Sequence, residues 1–140
     1  MAFQVEFVSP EATLYSDVAT QVVARTRGGG EIAFLTGHEP FIGSLLTCEV
    51  RVTEEATGDV KSFAVRGGFV SVTGTMSETK ITVLSDAAEP ADEIDRAQAE
   101  ADLAAATEAL KADADDAYAR DDLRWAEVRL AAIGADAGAH

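Results

Sequence analysis

The chain has 140 residues, 47% of them hydrophobic, and a formal net charge of −14. That size allows one domain with a core, or a smaller domain with an appendage. The charge excludes non-specific binding to nucleic acid or anionic lipid, which needs cationic side chains against phosphate, and favours a partner with basic patches.

From Ala2 to about Ser85 the pattern has period two. Phe3, Val5 and Phe7 share one face while Gln4 and Glu6 share the other, as a half-buried strand requires. This opening lacks the basic region and long apolar stretch of a secretory signal, so export is not expected. Further strands are expected at Val18 to Arg25 and Glu31 to Phe34. Cys48, Val50 and Val52 alternate with polar neighbours, and EEATGDVK turns the chain into Val60 to Val65 as a hairpin. Phe69 to Thr73 and Lys80 to Leu84 complete the set. Many short strands at this spacing predict a sandwich or flattened barrel.

After Pro90 alanine dominates and β-branched residues nearly vanish, so a boundary is expected between residues 1–88 and residues 89–140, the latter ending in a short flexible tail. Asp92 is a plausible N-cap for a helix through Lys111, about 30 Å long if fully helical. Asp115 or Asp116 caps a second helix, with Gly134 as its stop. Leu123, Ala126, Leu130 and Ile133 give this helix an apolar face. Two helices joined by a short turn make an antiparallel hairpin, so the fold class is α+β: an N-terminal β-sandwich followed by a C-terminal two-helix hairpin. The first helix offers Ile94, Ala97, Ala101 and Ala104 as a seam that buries little area, and the hairpin is expected to be detachable. Trp125 lies beside the apolar face, as an interface anchor or as packing for the first helix. No apolar run approaches the roughly 18 residues of a membrane span, so direct transmembrane insertion is not expected.

Candidate chemistry is sparse. His38 would need an orienting carboxylate and a nucleophile or substrate pocket, and the adjacent Glu39 points to the opposite face if extended. A loop or interface role fits it better. No metal site is expected, because the only other histidine, His140, ends the chain and no His/Cys cluster exists. A single cysteine excludes an internal disulfide and suits a reducing cytoplasm; Cys48 reads as core. The run RGGGE lacks the Gly-Lys-Ser/Thr ending of a phosphate loop and reads as a turn. In VRGGFVSV, Gly67 and Gly68 permit a bulge or a close backbone approach.

Four motifs in order, VSPEATLYS, GEIAFLTGHEPFIGSL, VRGGFVSV and ITVLSDAAE, followed by an alanine-rich hairpin, resemble the epsilon subunit of bacterial F-type ATP synthases over nearly the whole chain. The resemblance implies a non-catalytic central-stalk rotor subunit that couples proton flow to ATP synthesis. Its implied partners are the gamma subunit, the c ring and, through the hairpin, the alpha/beta hexamer; its implied place is the cytoplasmic face of the bacterial cell membrane, peripherally bound. Glu31 and His38 match positions that face the c ring and gamma in that family. The segment departs from the family pattern at Ala33, where glycine is usual, and at Thr36, where proline is usual.

Some relatives bind ATP through an Ile/Leu-Asp-x-x-Arg-Ala motif. Here the matching stretch runs from Ile94 to Ala99 with Gln98 in place of the arginine, and Arg96 lies about 200° around the helix from it. Glutamine cannot make the bidentate charged contact to phosphate that arginine makes. Glu89 and Asp95 are the candidate ATP-binding residues, ATP is not a required cofactor, and a stand-alone ATP-sensing module is the alternative reading. In several relatives the hairpin inhibits hydrolysis by bringing basic residues to an acidic segment of the hexamer. Residues 89–140 carry five basic against fourteen acidic side chains, a net −9, so only Arg120, Arg124 and Arg129 can serve that role and weak inhibition is expected.

Overall fold

The computed structural model describes residues 2–28, 30–35, 39–74 and 78–138. Strand β1 (Phe3–Val8) lies antiparallel to the first half of a long β2 (Thr13–Thr26) and parallel to β8 (Lys80–Leu84). On the far side of β8 follow β7 (Gly68–Thr73) and β4 (Phe41–Leu45). The second half of β2 pairs with β3 (Gly30–Leu35) and, through Ala19 to Val23, with β5 (Cys48–Glu54). Beyond β5 come β6 (Val60–Val65) and β9 (Ala88–Pro90). Strand β2 thus belongs to both layers of the sandwich, which explains its length.

The inward faces meet in one core: Phe3, Val5 and Phe7 from β1, Val22 and Ala24 from β2, Val50 and Val52 from β5, Val70 and Val72 from β7, and Ile81 and Val83 from β8. Cys48 is buried there, as its place on an alternating strand predicts. Phe7 and Phe63 stack with ring centroids 4.4 Å apart, and Tyr15 stands edge-on to both. The Tyr15 hydroxyl donates to Glu54 at 2.7 Å, tying the start of β2 to the end of β5. Burial and the neighbouring Glu54 carboxylate raise the phenol's pKa well above its ordinary value.

The chain crosses between layers at Arg66-Gly67-Gly68. Gly68 has φ +118°, and a Cβ there would stand 2.0 Å from the Leu84 carbonyl oxygen, so the close backbone approach expected of this glycine pair is real. After Arg27 the expected turn shows at Gly28, which has φ +84°.

Helices α1 (Arg96–Ala112) and α2 (Ala117–Gly138) pack against each other, and α2 lies on β5 and β6. Burial along β6 therefore runs unbroken from Ser62 to Val65: Phe63 and Val65 face the sandwich core, while Ala64 faces a second cluster with Ala91, Val128 and Ala132. Ile94 and Trp125 flank that cluster.

Several details differ from the sequence reading. The N-cap of α1 is Asp95, whose carboxylate accepts from the Gln98 amide, because Ala91–Glu93 form a 3₁₀ turn and Ile94 is extended. The cap of α2 is, by contrast, one of the two expected: Asp116, accepting from the Ala119 amide. Gly134 does not stop α2, which continues to Gly138; a glycine inside a helix costs about 1 kcal/mol and ends it only where a left-handed cap forms. The packed face of α1 carries Ala99 and Ala106 in place of Ala97, Ala101 and Ala104, which are exposed. With alanine on every side, the helix has too little amphipathic contrast for its pattern to select a face. On α2, Ala126, Val128, Arg129 and Ala132 are buried, whereas Leu123, Leu130 and Ile133 are half-buried. Strands β4 and β9 have no counterpart in the sequence reading, and β2 starts five residues earlier than the expected Val18.

Candidate functional site

Two outer sheet faces arise from this architecture, and they are treated differently. The β5–β6 face is covered by the hairpin. The β4–β7–β8 face is bare, yet it carries the larger apolar side chains. Phe69 pairs with Leu84 across β7 and β8 and with Ser44 across β7 and β4, so Ile42, two residues from Ser44, shares their side of the sheet. Ile42, Phe69 and Leu84 are 72%, 51% and 42% exposed, and between them lie only the small polar Ser44, Ser71 and Thr82. Phe69 and Leu84 are neighbours and Ile42 lies diagonal to Phe69, and exposed large apolar side chains grouped in this way mark an interaction surface. Beside it a cavity of about 450 Å³ opens between Val8, Pro10, Phe69, Leu84 and Arg66.

Arg66 belongs to both faces. Its guanidinium donates to Asp121 at 2.6 Å and to Asp122 at 2.8 Å, both on α2, and lies 5.8 Å from the centre of the Trp125 ring. Trp125 thus packs towards the sheet rather than against α1 alone. A second arginine, Arg129, stands 5.7 Å from the same ring. Its side chain is only 10% exposed and joins three elements: Nε is 2.8 Å from Glu89 on β9, and Nη1 donates to Asp102 on α1 at 3.4 Å. The Nε–Glu89 pair is close but poorly aligned for a hydrogen bond, so its attraction is mainly coulombic.

The structure separates the remaining sequence candidates. Arg120 donates to the Ala114 carbonyl at 2.7 Å and ties down the interhelical turn. Arg124 is exposed and lines a groove of about 200 Å³ that Glu31 also lines, together with Arg25, Glu49 and Glu127. Glu31 is half-exposed and stands 3.8 Å from Arg25 and 3.7 Å from Arg51, surface pairs worth under about 1 kcal/mol each. His38 lies outside the described residues, as does Thr36. Asp95 is engaged as the α1 cap, Glu89 is paired with Arg129, and Gln98 donates to Asp102 at 2.8 Å. In the floor of the groove burial raises the Glu49 carboxyl above the usual carboxylate range, with Arg51 and Ser62 opposing the shift.

Ile42, Phe69, Leu84 and Arg66 escaped the sequence reading, although one signal for them was present. In FI at 41–42 and FV at 69–70 two large apolar residues are adjacent on a strand, which must send one to each face. No local signal announces the partners of Arg66, which lie 55 and 56 residues away.

Comparison with known proteins agrees with this architecture. Residues 2–91 match the family model of the ATP synthase delta/epsilon chain, beta-sandwich domain. The chain is 38% identical over 136 residues to an ATP synthase epsilon chain of Thioalkalivibrio sulfidiphilus, spanning 95% of this chain and 93% of that one. It is 40% identical over 129 residues to an ATP synthase epsilon chain of Streptomyces griseus, spanning 92% and 93%. A chain in the cryo-EM structure of the Euglena gracilis mitochondrial ATP synthase, comprising OSCP, F1 and c-ring, shares the fold: TM-score 0.67 at 20% identity, covering 99% of this chain and 82% of that one. No helix among the described residues is long and apolar enough to cross a membrane.

Proposed function

Because this chain belongs to the ATP synthase epsilon chain family, non-catalytic subunits of the enzyme's central stalk, we propose that it joins the rotor by seating the bare β4–β7–β8 face against the gamma subunit. The observation that carries the reading is the contrast between the two outer faces: the sheet whose outward residues are Glu49, Arg51, Ser62 and Ala64 is covered by the hairpin, and the sheet with the large apolar Ile42, Phe69 and Leu84 is not. Burying three such side chains contributes several kcal/mol at roughly 25 cal/mol per Å². The subunit then turns with gamma, coupling proton flow to ATP synthesis. The segment from Glu31 to His38 meets the c ring, which keeps the protein peripheral on the cytoplasmic face of the cell membrane.

The sandwich, residues 1–88, is the rotor-binding unit, and the hairpin, residues 89–140, is the regulatory one that faces the alpha/beta hexamer. Its inhibition of hydrolysis is weak. Arg129 is committed to Glu89 and Asp102, Arg120 to its own turn, and the segment's net charge of −9 opposes an acidic target. ATP is not required as a ligand: Asp95 and Glu89 already have intramolecular partners, and Gln98 replaces the arginine that would meet phosphate.

The test of the docking face is Ile42→Ser with Phe69→Ser. Both side chains are exposed, so the variant keeps its circular dichroism while co-purification with gamma is lost; retention at full strength overturns the assignment. Titration calorimetry with ATP gives no heat at millimolar nucleotide, whereas binding abolished in Asp95→Ala would restore the ATP-sensing alternative.

A further inference from the structure

The bare face and the hairpin meet at one side chain. Arg66 follows the last residue of β6, in the covered layer, and precedes the Gly67-Gly68 crossing into β7, in the bare layer. Its backbone is fixed: its amide donates to the Ala87 carbonyl at 2.9 Å, its carbonyl accepts from the Ser85 hydroxyl at 3.4 Å, and Gly68 leaves no room for the crossing to shift. The side chain walls the cavity beside Phe69 and Leu84 and also lines the cleft of about 440 Å³ between α1 and α2 that contains Trp125 and Asp122. It is 34% exposed, and among the described residues its ion pairs are made from the hairpin side, with Asp121 and Asp122; Asp86, which lines the same cavity as Phe69 and Leu84, forms none with it.

We propose that Arg66 couples the seating of the hairpin to occupation of the bare face, with positive sign. This inference rests on the docking of gamma proposed above. An apolar segment of gamma seated over Phe69 and Leu84 removes water from the open side of Arg66. A surface ion pair then becomes a partly desolvated one, and hairpin departure would leave the guanidinium without its two carboxylates and rehydrated from the vacated side alone, a costlier event than breaking the same pair in open water. Gamma therefore holds the hairpin down. By reciprocity a seated hairpin, supplying the two carboxylates, tightens the binding of gamma by the same factor. Asp121 and Asp122 do not line the cavity, so their effect on gamma passes through Arg66.

The experiment measures the affinity of the full-length chain for the gamma subunit in five forms: wild type, Asp121→Asn/Asp122→Asn, Arg66→Met, the triple variant, and Phe69→Ser. The double asparagine variant is expected to bind gamma about tenfold more weakly, within the range usual for coupled sites. In the Arg66→Met background, where no charge is stranded, the same two changes have no effect. Amide exchange in α2 of the wild type slows on adding gamma, and in Arg66→Met it does not. Wild-type affinity in the double asparagine variant, or an equal loss with and without Arg66, overturns the coupling while leaving the docking face intact. Unchanged affinity in Phe69→Ser overturns the docking face itself, and the coupling with it.

Discussion

Replacing Arg129 with methionine tests what holds the hairpin on the sandwich. The alanine-rich seam of α1 buries little area, so the hairpin is expected from sequence to detach readily. In the structure Arg129 adds a cationic link from α2 to β9 through Glu89 and to α1 through Asp102, with Trp125 beneath it. Methionine preserves most of the aliphatic packing and removes the charge. Severing a fully buried pair costs about 3–5 kcal/mol. Glu89 and Asp102 are 35% and 43% exposed and recover some hydration, so about 2 kcal/mol is the reasonable loss. That corresponds to a roughly thirtyfold rise in the undocked population at 1.4 kcal/mol per decade. The assay uses the protein's single tryptophan, Trp125, which lies in the interface. Its emission shifts to the red in Arg129→Met, and proteolysis between Pro90 and Arg96 accelerates by a similar factor, while the urea midpoint of the β-sheet signal moves little. Unchanged emission and cleavage would show that apolar packing alone seats the hairpin. An equal fall in both transitions would show that hairpin and sandwich unfold as one unit.

Two further substitutions probe the sheet. Gly68→Ala places a Cβ against the Leu84 carbonyl at a left-handed φ and is expected to cost about 3 kcal/mol or more, read as a lowered urea midpoint; an unchanged midpoint would refute the close crossing. Glu49→Gln tests the buried carboxyl beneath α2. Its folded pKa is raised, so the folded protein binds more protons there than the unfolded chain, and stability falls as pH rises from the usual carboxylate range through the folded value. The glutamine variant flattens that fall and equals or exceeds wild-type stability at neutral pH; a steeper fall would refute the sign.

The fold was largely legible in the sequence because its determinants are local. A strand exposes alternate residues whatever its neighbours are, so Phe3-Val5-Phe7 and Cys48-Val50-Val52 declare themselves within a few residues. The loss of β-branched residues after Pro90 announces the helices equally well. Even so, the cap expected at Asp92 is Asp95 in the structure, because the chain first extends β9 along β6 and makes a 3₁₀ turn.

Which face each element presents was a matter for tertiary structure. Alanine offers no amphipathic contrast, so α1 took its packed face, Ala99 and Ala106, from the helix α2 beside it. Arg129, legible only as a cation on a helix, became the buried link between β9 and α1. Arg66, with nothing local to mark it, acquired its role from carboxylates 55 and 56 residues away. Secondary structure and the division into sheet and hairpin follow from hydrophobic period and capping, which act over a few residues. The ion pairs and the bare apolar face depend on which distant surfaces meet, and only the packed chain decides that.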